Sequence, residues 1–411
     1  MDTELSTNPS PATDVDAPPP SHPLPAVVAG WRVQAALCLA AFFAALNFFA
    51  PTPFYPEIAR DLQTTVPLLG QVVTVMALLS AALGVFIGPL ADRYGYRWPL
   101  VIGLLALAAA LIGTGLAPNY PVLLGLGLLG GLGDALVFSL PFAIATTSFH
   151  GPARRQAIAW TIAALSIAPV VGVPPLTALG EATSWRHALA LAGLAAAGVA
   201  GFVALTLPPD VRHSGTPFAA RALLAAYTPL LRDAQSLRLL AVSGLRGLWW
   251  VGLLTYLGAY LGDVVGFSAA QIGLVYAVNG AAYAAGSVVA GRWLSDISQR
   301  LLVTATSLIG GGLAGAVLVL PDPWLVPPLL VVASIAASAC SVGVVALLAT
   351  QSRAGAGTTM VLNGSILNAG TAGGTVLGGL LIALGGFEAL GMGLPPFALL
   401  AALLAWWPPR R

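Results

Sequence analysis

Lysine is missing from this chain, and charge of either sign is scarce: 17 arginines and 15 acidic residues leave only 8% of the 411 positions charged. Soluble domains carry about a quarter charged residues, so the shortage excludes an ordinary soluble fold. A net charge of +2 is too small to draw nucleic acid as a partner. Cysteine is nearly absent too. Cys38 and Cys340 stand far apart, each inside an apolar stretch, which excludes a disulfide framework and reads as two small buried hydrophobes. The four histidines, His22, His150, His187 and His213, fall in the N-terminal tail or near predicted loops and assemble no metal site. No phosphate-cradling Gly-rich loop of the Walker type occurs, which speaks against an ATP-driven pump. No cofactor is expected.

What the chain has in plenty is apolar length, with 58% hydrophobic residues and 47 glycines, a composition that membrane helices tolerate because small residues let backbones approach. Residues 1–30 carry Asp2, Glu4, Asp14 and Asp16 among prolines and serines. They lack the basic start and apolar centre of a signal peptide and read as a disordered cytoplasmic tail. Apolar stretches follow at 31–51, 67–89, 98–117, 121–146, 156–179 and 187–207, then at 239–262, 269–291, 301–320, 325–349, 358–384 and 388–407. Each is long enough to cross ~30 Å of hydrocarbon at ~1.5 Å per residue. The expectation is an all-α membrane protein of twelve transmembrane helices in two six-helix bundles, 31–207 and 239–407, with a cytoplasmic tail at 408–411. Between them, Phe218, Arg221, Leu224, Tyr227 and Leu231 give the linker 208–238 a helical apolar spacing. That segment is either an amphipathic helix on the membrane face or a plain solvated connector.

Arginine placement supports the count. Of the 16 arginines outside the spans, 14 fall on the side shared by both termini, and only Arg60 and Arg186 on the other. By the positive-inside rule both termini are cytoplasmic, and the expected location is a cell membrane, in bacterial terms the inner membrane, crossed many times.

One connection stands out. Gly88, Leu90, Asp92, Arg93, Gly95 and Arg97 form a charged hinge between the second and third spans. A shorter echo, Gly291, Leu294, Asp296 and Arg300, lies half a chain later, as a duplicated six-plus-six carrier would have it. The G-x-L-x-D-R-x-G-x-R pattern resembles the loop between helices 2 and 3 of the major facilitator superfamily, and the likeness covers Trp31 to Trp407. The resemblance implies two pseudo-symmetric bundles, alternating access, and a gate in which Asp92 bridges the halves, with the start of helix 11 near Thr358 and Arg154 or Arg155 as partners. The alternative is that Asp92 and its arginines only anchor the loop. Helix 5 carries Pro169 and Gly172, which match part of the G-P-x-x-G-G pattern of the exporter branches, and Trp185-Arg186 follows downstream as in those branches. The helix 4 pattern R-x-x-x-G-x-G survives only as Gly127, Gly131 and Gly133, without its arginine. On helix 11, Gly370, Gly374 and Gly378 form a smooth face, expected to lie against helix 2 across the boundary.

Two ionisable residues lie deep in spans, Asp134 on helix 4 and Arg246 on helix 7. A lone charge there costs several kcal/mol, so each needs a cavity or a partner. Their depths coincide, and the family fold places helices 4 and 7 around one cavity. They either pair with each other or share a substrate or a proton. Asn47, Phe138, Trp249, Trp250 and Tyr256 complete the expected cavity wall, whose aromatic character suits an amphipathic organic molecule better than a sugar. The leading expectation is proton-coupled export of a hydrophobic or amphipathic small molecule by a monomeric carrier. An uptake carrier for an organic anion, with Arg246 as counter-charge, is the alternative. A receptor or enzyme on a transporter scaffold is a distant third, because no nucleophile, acid–base set or metal cluster gathers at one depth; the chain is not expected to be an enzyme.

Overall fold

Residues 30–208, 227–293, 298–351 and 356–407 are described in a computed structural model of the chain. Asp296, the linker residues Phe218, Arg221 and Leu224, and both tails lie outside them, as do the surroundings of Gly88 and the side chains of Asp92, Arg93 and Arg155, and with them the expected gate contact.

Among the described residues the chain is helical, with eleven continuous stretches long and apolar enough to cross a membrane. We label the first ten α1 (Trp31–Phe49), α2 (Val66–Tyr94), α3 (Arg97–Leu116), α4 (Tyr120–Ser148), α5 (Pro152–Ala182), α6 (Trp185–Thr206), α7 (Ala234–Asp263), α8 (Ala269–Trp293), α9 (Gln299–Val319) and α10 (Val326–Gln351). The last stretch, Thr358–Trp406, has 49 residues, more than twice what a bilayer needs. It breaks at Gly385 and Gly386, whose dihedrals leave helical space. The chain folds back there, so that Gly378 approaches Leu390 and Gly393 approaches Leu381. The stretch therefore holds α11 (356–384) and α12 (387–406), and the total is twelve. Only Gly at 386, with φ +69°, adopts that reversal without strain.

Local signals set the other ends. Gly95, with φ +91°, stops α2 before α3 starts. The side chains of Asn119, Ser184 and Asp233 accept hydrogen bonds from Val122, His187 and Ser236 backbone N–H groups at the starts of α4, α6 and α7. Two helices widen by one turn of π geometry: α5 over Ala168–Gly172 and α7 over Gly247–Val251. In α5 the cause is local, because Pro169 has no N–H to donate.

The helices pack as two bundles, α1–α6 and α7–α12, with the same internal plan. In each, the third helix lies on the sixth, α3 on α6 and α9 on α12. An arginine at the start of the third helix fastens each pair at the end of the molecule where α1 begins, here the near end. Arg97 donates to the Ala204 carbonyl near the end of α6, and Arg300 Nη1 to the Trp407 carbonyl after α12 at 2.7 Å. A cation on the last carbonyls of a helix also meets its negative pole.

At the far end the halves are sealed. Phe49 meets Tyr276 edge-on at 6.1 Å. Gly258 lies against Thr52 and Pro53, Gly273 against Thr177, and Gly280 against Pro169. Trp185 Nε1 donates to Asp61 at 2.8 Å, and Arg186 Nη1 to the Gly115 and Ala117 carbonyls at 3.2 and 2.9 Å. The Trp-Arg pair thus ties α6 to α3 and to the turn after α1, a structural role at this end. Tyr227, from the linker, donates to the Val85 carbonyl of α2 at 3.3 Å, and burial raises its phenol pKa.

Candidate functional site at the boundary of the halves

Asp134, Ser80, Asn368 and Arg246 each sit near the middle of their helices, α4, α2, α11 and α7. Three of them are joined. Ser80 Oγ donates to Asp134 Oδ2 at 2.7 Å, and Asn368 Nδ2 donates to Ser80 Oγ at 3.0 Å. The chain Asn368→Ser80→Asp134 crosses from the second half to the first at mid-depth. The Ser80 hydroxyl is used in both directions, its proton committed to the carboxylate and a lone pair to the amide. About two turns nearer the far end, Thr74 Oγ1 and Thr375 Oγ1 meet at 2.7 Å across the same boundary. One turn the other way, Gly84 leaves room for Ser365.

Arg246 stands apart. It is only 7% exposed, and no ion pair joins it to Asp134. Its Nε is buried without an acceptor. The sequence brought the two charges to one depth; the fold places them on different neighbours. Asp134 is satisfied by α2, and no salt bridge joins Arg246 to it.

The aromatic residues divide as well. Phe138, one turn past Asp134 on the same face of α4, is 43% exposed. Trp249 and Tyr256 are fully buried and line no open cavity. Trp249 packs on Gly310 of α9, which has no side chain to obstruct it. Tyr256 Oη donates to the Thr375 carbonyl at 2.6 Å and fills space left by Gly70, Gly378 and Gly379, so it belongs to the far-end seal. Trp250 is buried and stacks on Tyr283 of α8 at 6.4 Å. Asn47 Nδ2 donates to Met76 Sδ at 3.3 Å and borders a cavity of about 50 Å³ within the first half, together with Phe48 and Gly130. Pro169 lies on Gly280 of α8, and Gly172 lets Leu46 and Phe42 of α1 approach.

The glycine face of α11 differs from its sequence reading. Gly370 and Gly374 lie against the Gly244 and Leu248 carbonyls of α7, inside their own half. The other face, with Ser365, Asn368, Thr375 and Gly379, meets α2. A helix packed on both sides places its small residues where backbones touch and its hydroxyls and amides where polar partners stand. Sequence reasoning passed over Ser80, Thr74, Asn368 and Thr375. Asn368 in an apolar helix was the signal at hand.

Comparison with known proteins gives one consistent picture. The family model for the Major Facilitator Superfamily matches residues 37–278 and 253–411. "Probable nitrate/nitrite transporter NarK2" of Mycobacterium tuberculosis is 29% identical over 310 residues, covering 71% of this chain and 75% of that protein. "Chloramphenicol efflux pump MT0201" of the same species is 30% identical over 251 residues, 60% of this chain and 59% of the pump. The crystal structure of a bacterial homolog to the human lysosomal transporter Spinster, inward-facing and occupied, superposes with a TM-score of 0.71 at 17% identity, over 91% of this chain and 94% of that one. At that identity the likeness speaks for the fold alone.

Proposed function

Because the chain belongs to the major facilitator superfamily, a family of membrane carriers for small molecules, we propose that it exports a hydrophobic or amphipathic organic solute in exchange for protons, with Asp134 as the proton carrier. The observation that supports this most is the chain Asn368→Ser80→Asp134. An ionised Asp134 accepts a charge-assisted bond, about twice as strong as a neutral one. A proton on the carboxylate removes that assistance and weakens the link between α2 and α11. Proton occupancy is then coupled to the contact between halves, which is what exchange across alternating access requires.

The exposed Phe138, one turn from Asp134 on α4, offers an apolar surface to the solute in this reading, and the efflux-pump relative favours the outward direction. Arg97, Arg154, Arg232, Arg238 and Arg300 lie toward the near end and Arg60 and Arg186 toward the far end, so the near end, with both termini, is the cytoplasmic one in this reading. In this reading the far-end seal closes the described state toward the outside.

The test is flux in proteoliposomes under an imposed pH gradient, across a panel of amphipathic compounds that includes chloramphenicol. Solute movement against its gradient, accompanied by proton counterflow, is the expected result. Transport that ignores the pH gradient, or survives Asp134→Asn with coupling intact, overturns the assignment.

A further inference from the structure

A groove of about 240 Å³ runs down the second half between α8 and α10. Leu274 and Val278 of α8 and Pro327, Leu330 and Val331 of α10 form its walls. Two amides complete it, Gln271 toward the far end and Asn279 toward the middle. Gly273 and Gly280 face α5 of the first half, whereas Leu274 and Val278 stand on another side of α8 and are 62% and 44% exposed. The halves are closed against each other at this end, so a groove on that other side opens to the bilayer and not to the boundary.

Asn279 is the residue that an ordinary lipid slot has no use for. It is only 5% exposed and lies near the middle of the 25-residue α8, ~15 Å from the start of that helix. Its Oδ1 accepts from Ser334 Oγ of α10. Ser334 engages one end of the amide, which leaves the two N–H groups of Nδ2 for the groove that the side chain lines. At that depth no water serves an N–H, and leaving it unpaired is costly. A phospholipid chain fills apolar space but brings no acceptor there, because its ester oxygens stay at headgroup level, ~15 Å from the midplane. The lining carries no charge, so nothing in it calls for an ion.

We propose that this groove binds a neutral amphiphile drawn from the bilayer, an aliphatic alcohol or ketone whose oxygen accepts from Asn279 Nδ2 while its chains lie on Leu274, Val278 and Val331. The apolar walls hold any chain, and the amide alone separates such a ligand from lipid, so specificity is a matter of one hydrogen bond. The site lies on the outer side of the second half and does not rest on Asp134, on proton exchange or on the boundary between halves.

The full-length chain in phosphatidylcholine nanodiscs is photolabelled with dipentyl carbinol carrying a diazirine at one chain end, and the label is mapped by peptide mass spectrometry. The expected label saturates and falls on the groove walls of α8 and α10. Dipentyl ketone displaces it at a concentration about 5-fold or more below that of undecane, the scale of one neutral hydrogen bond. Asn279→Leu removes that preference for the ketone. Leu274→Trp fills the groove while leaving Asn279 and Ser334 in place, and it abolishes the label, which keeps the test decisive should Asn279→Leu not fold. The proposal is overturned if the label maps elsewhere or persists in Leu274→Trp. It is overturned equally if undecane displaces as well as the ketone, which makes the groove a slot for ordinary lipid chains, or if folded Asn279→Leu keeps the preference.

Discussion

The two halves share a plan but treat their one mid-membrane charge in opposite ways. In the first half Asp134 is bonded to Ser80 and, through it, to the second half. In the second half Arg246 is buried, its Nε has no acceptor, and no salt bridge joins it to Asp134. The scaffold around them is close to symmetric, down to Arg97 and Arg300 fastening the third helix to the sixth in each bundle. A polar bridge between second and fourth helices also recurs, Ser80 with Asp134 in one half and Asn279 with Ser334 in the other. Duplication thus preserved what holds a bundle together and let the charges diverge. A satisfied acid that links two bodies suits a switch, and the buried base of the second half makes no such link.

The sharpest way to break that contrast is to neutralise both charges. Asp134→Asn should lower gradient-driven flux by about 100-fold or more, the usual scale for removing an essential proton-transfer group, while solute exchange without a gradient partly survives. Adding Arg246→Gln should not restore coupling. Full recovery of pH-driven transport in the double variant would show instead that the two charges act as a structural pair.

Next in size is the effect on stability. A buried charge that lacks a carboxylate partner among the described residues is a liability, so Arg246→Met should raise stability by ~1–4 kcal/mol. Denaturation followed by circular dichroism reads this directly, and a loss of stability there would mean that Arg246 has a partner inside the protein.

Ser80→Ala removes the link between Asp134 and Asn368. Its charged hydrogen bond is worth ~1.5–3 kcal/mol, so the population should shift away from the state sealed at the far end. Cysteine-accessibility labelling at the far end, in a background without Cys38 and Cys340, should show increased reactivity, and unchanged labelling would remove Ser80 from the switch. The smallest expected effects test the symmetry itself. Arg97→Gln and Arg300→Gln should each destabilise by only about 1 kcal/mol, and by similar amounts in thermal unfolding. A large inequality would show that one fastening does more than cap a helix.

The readable and unreadable parts of the site differ for a physical reason. Asp134 and Arg246 were visible in the sequence because an ionisable residue in an apolar run is expensive wherever the helix turns. Their lack of mutual pairing was not visible, since equal depth says nothing about which side of a helix faces which neighbour. Trp249 and Tyr256 looked like cavity walls; only the glycines opposite them, Gly310, Gly70 and Gly379, make them core and seal. The glycines of α11 were visible as a smooth face, yet their partner is α7. The hinge motif yielded its geometry at Gly95, where a positive φ requires glycine, and at Arg97, which holds α6.

By itself the sequence determined the number of crossings, the duplication and the arginine asymmetry, because the transfer free energy of each residue into the bilayer depends on depth alone and adds up along one helix. The reversal at Gly386 belongs to the same class, a local consequence of two glycines. Lateral partnership was decided only by tertiary structure. Lipid tails are as apolar as leucine, so a helix surface facing lipid and one facing another helix carry nearly the same residues. No periodicity in α2, α4 or α11 therefore announced that Ser80, Asp134 and Asn368 would meet, and none announced that Arg246 and Asp134 would not pair.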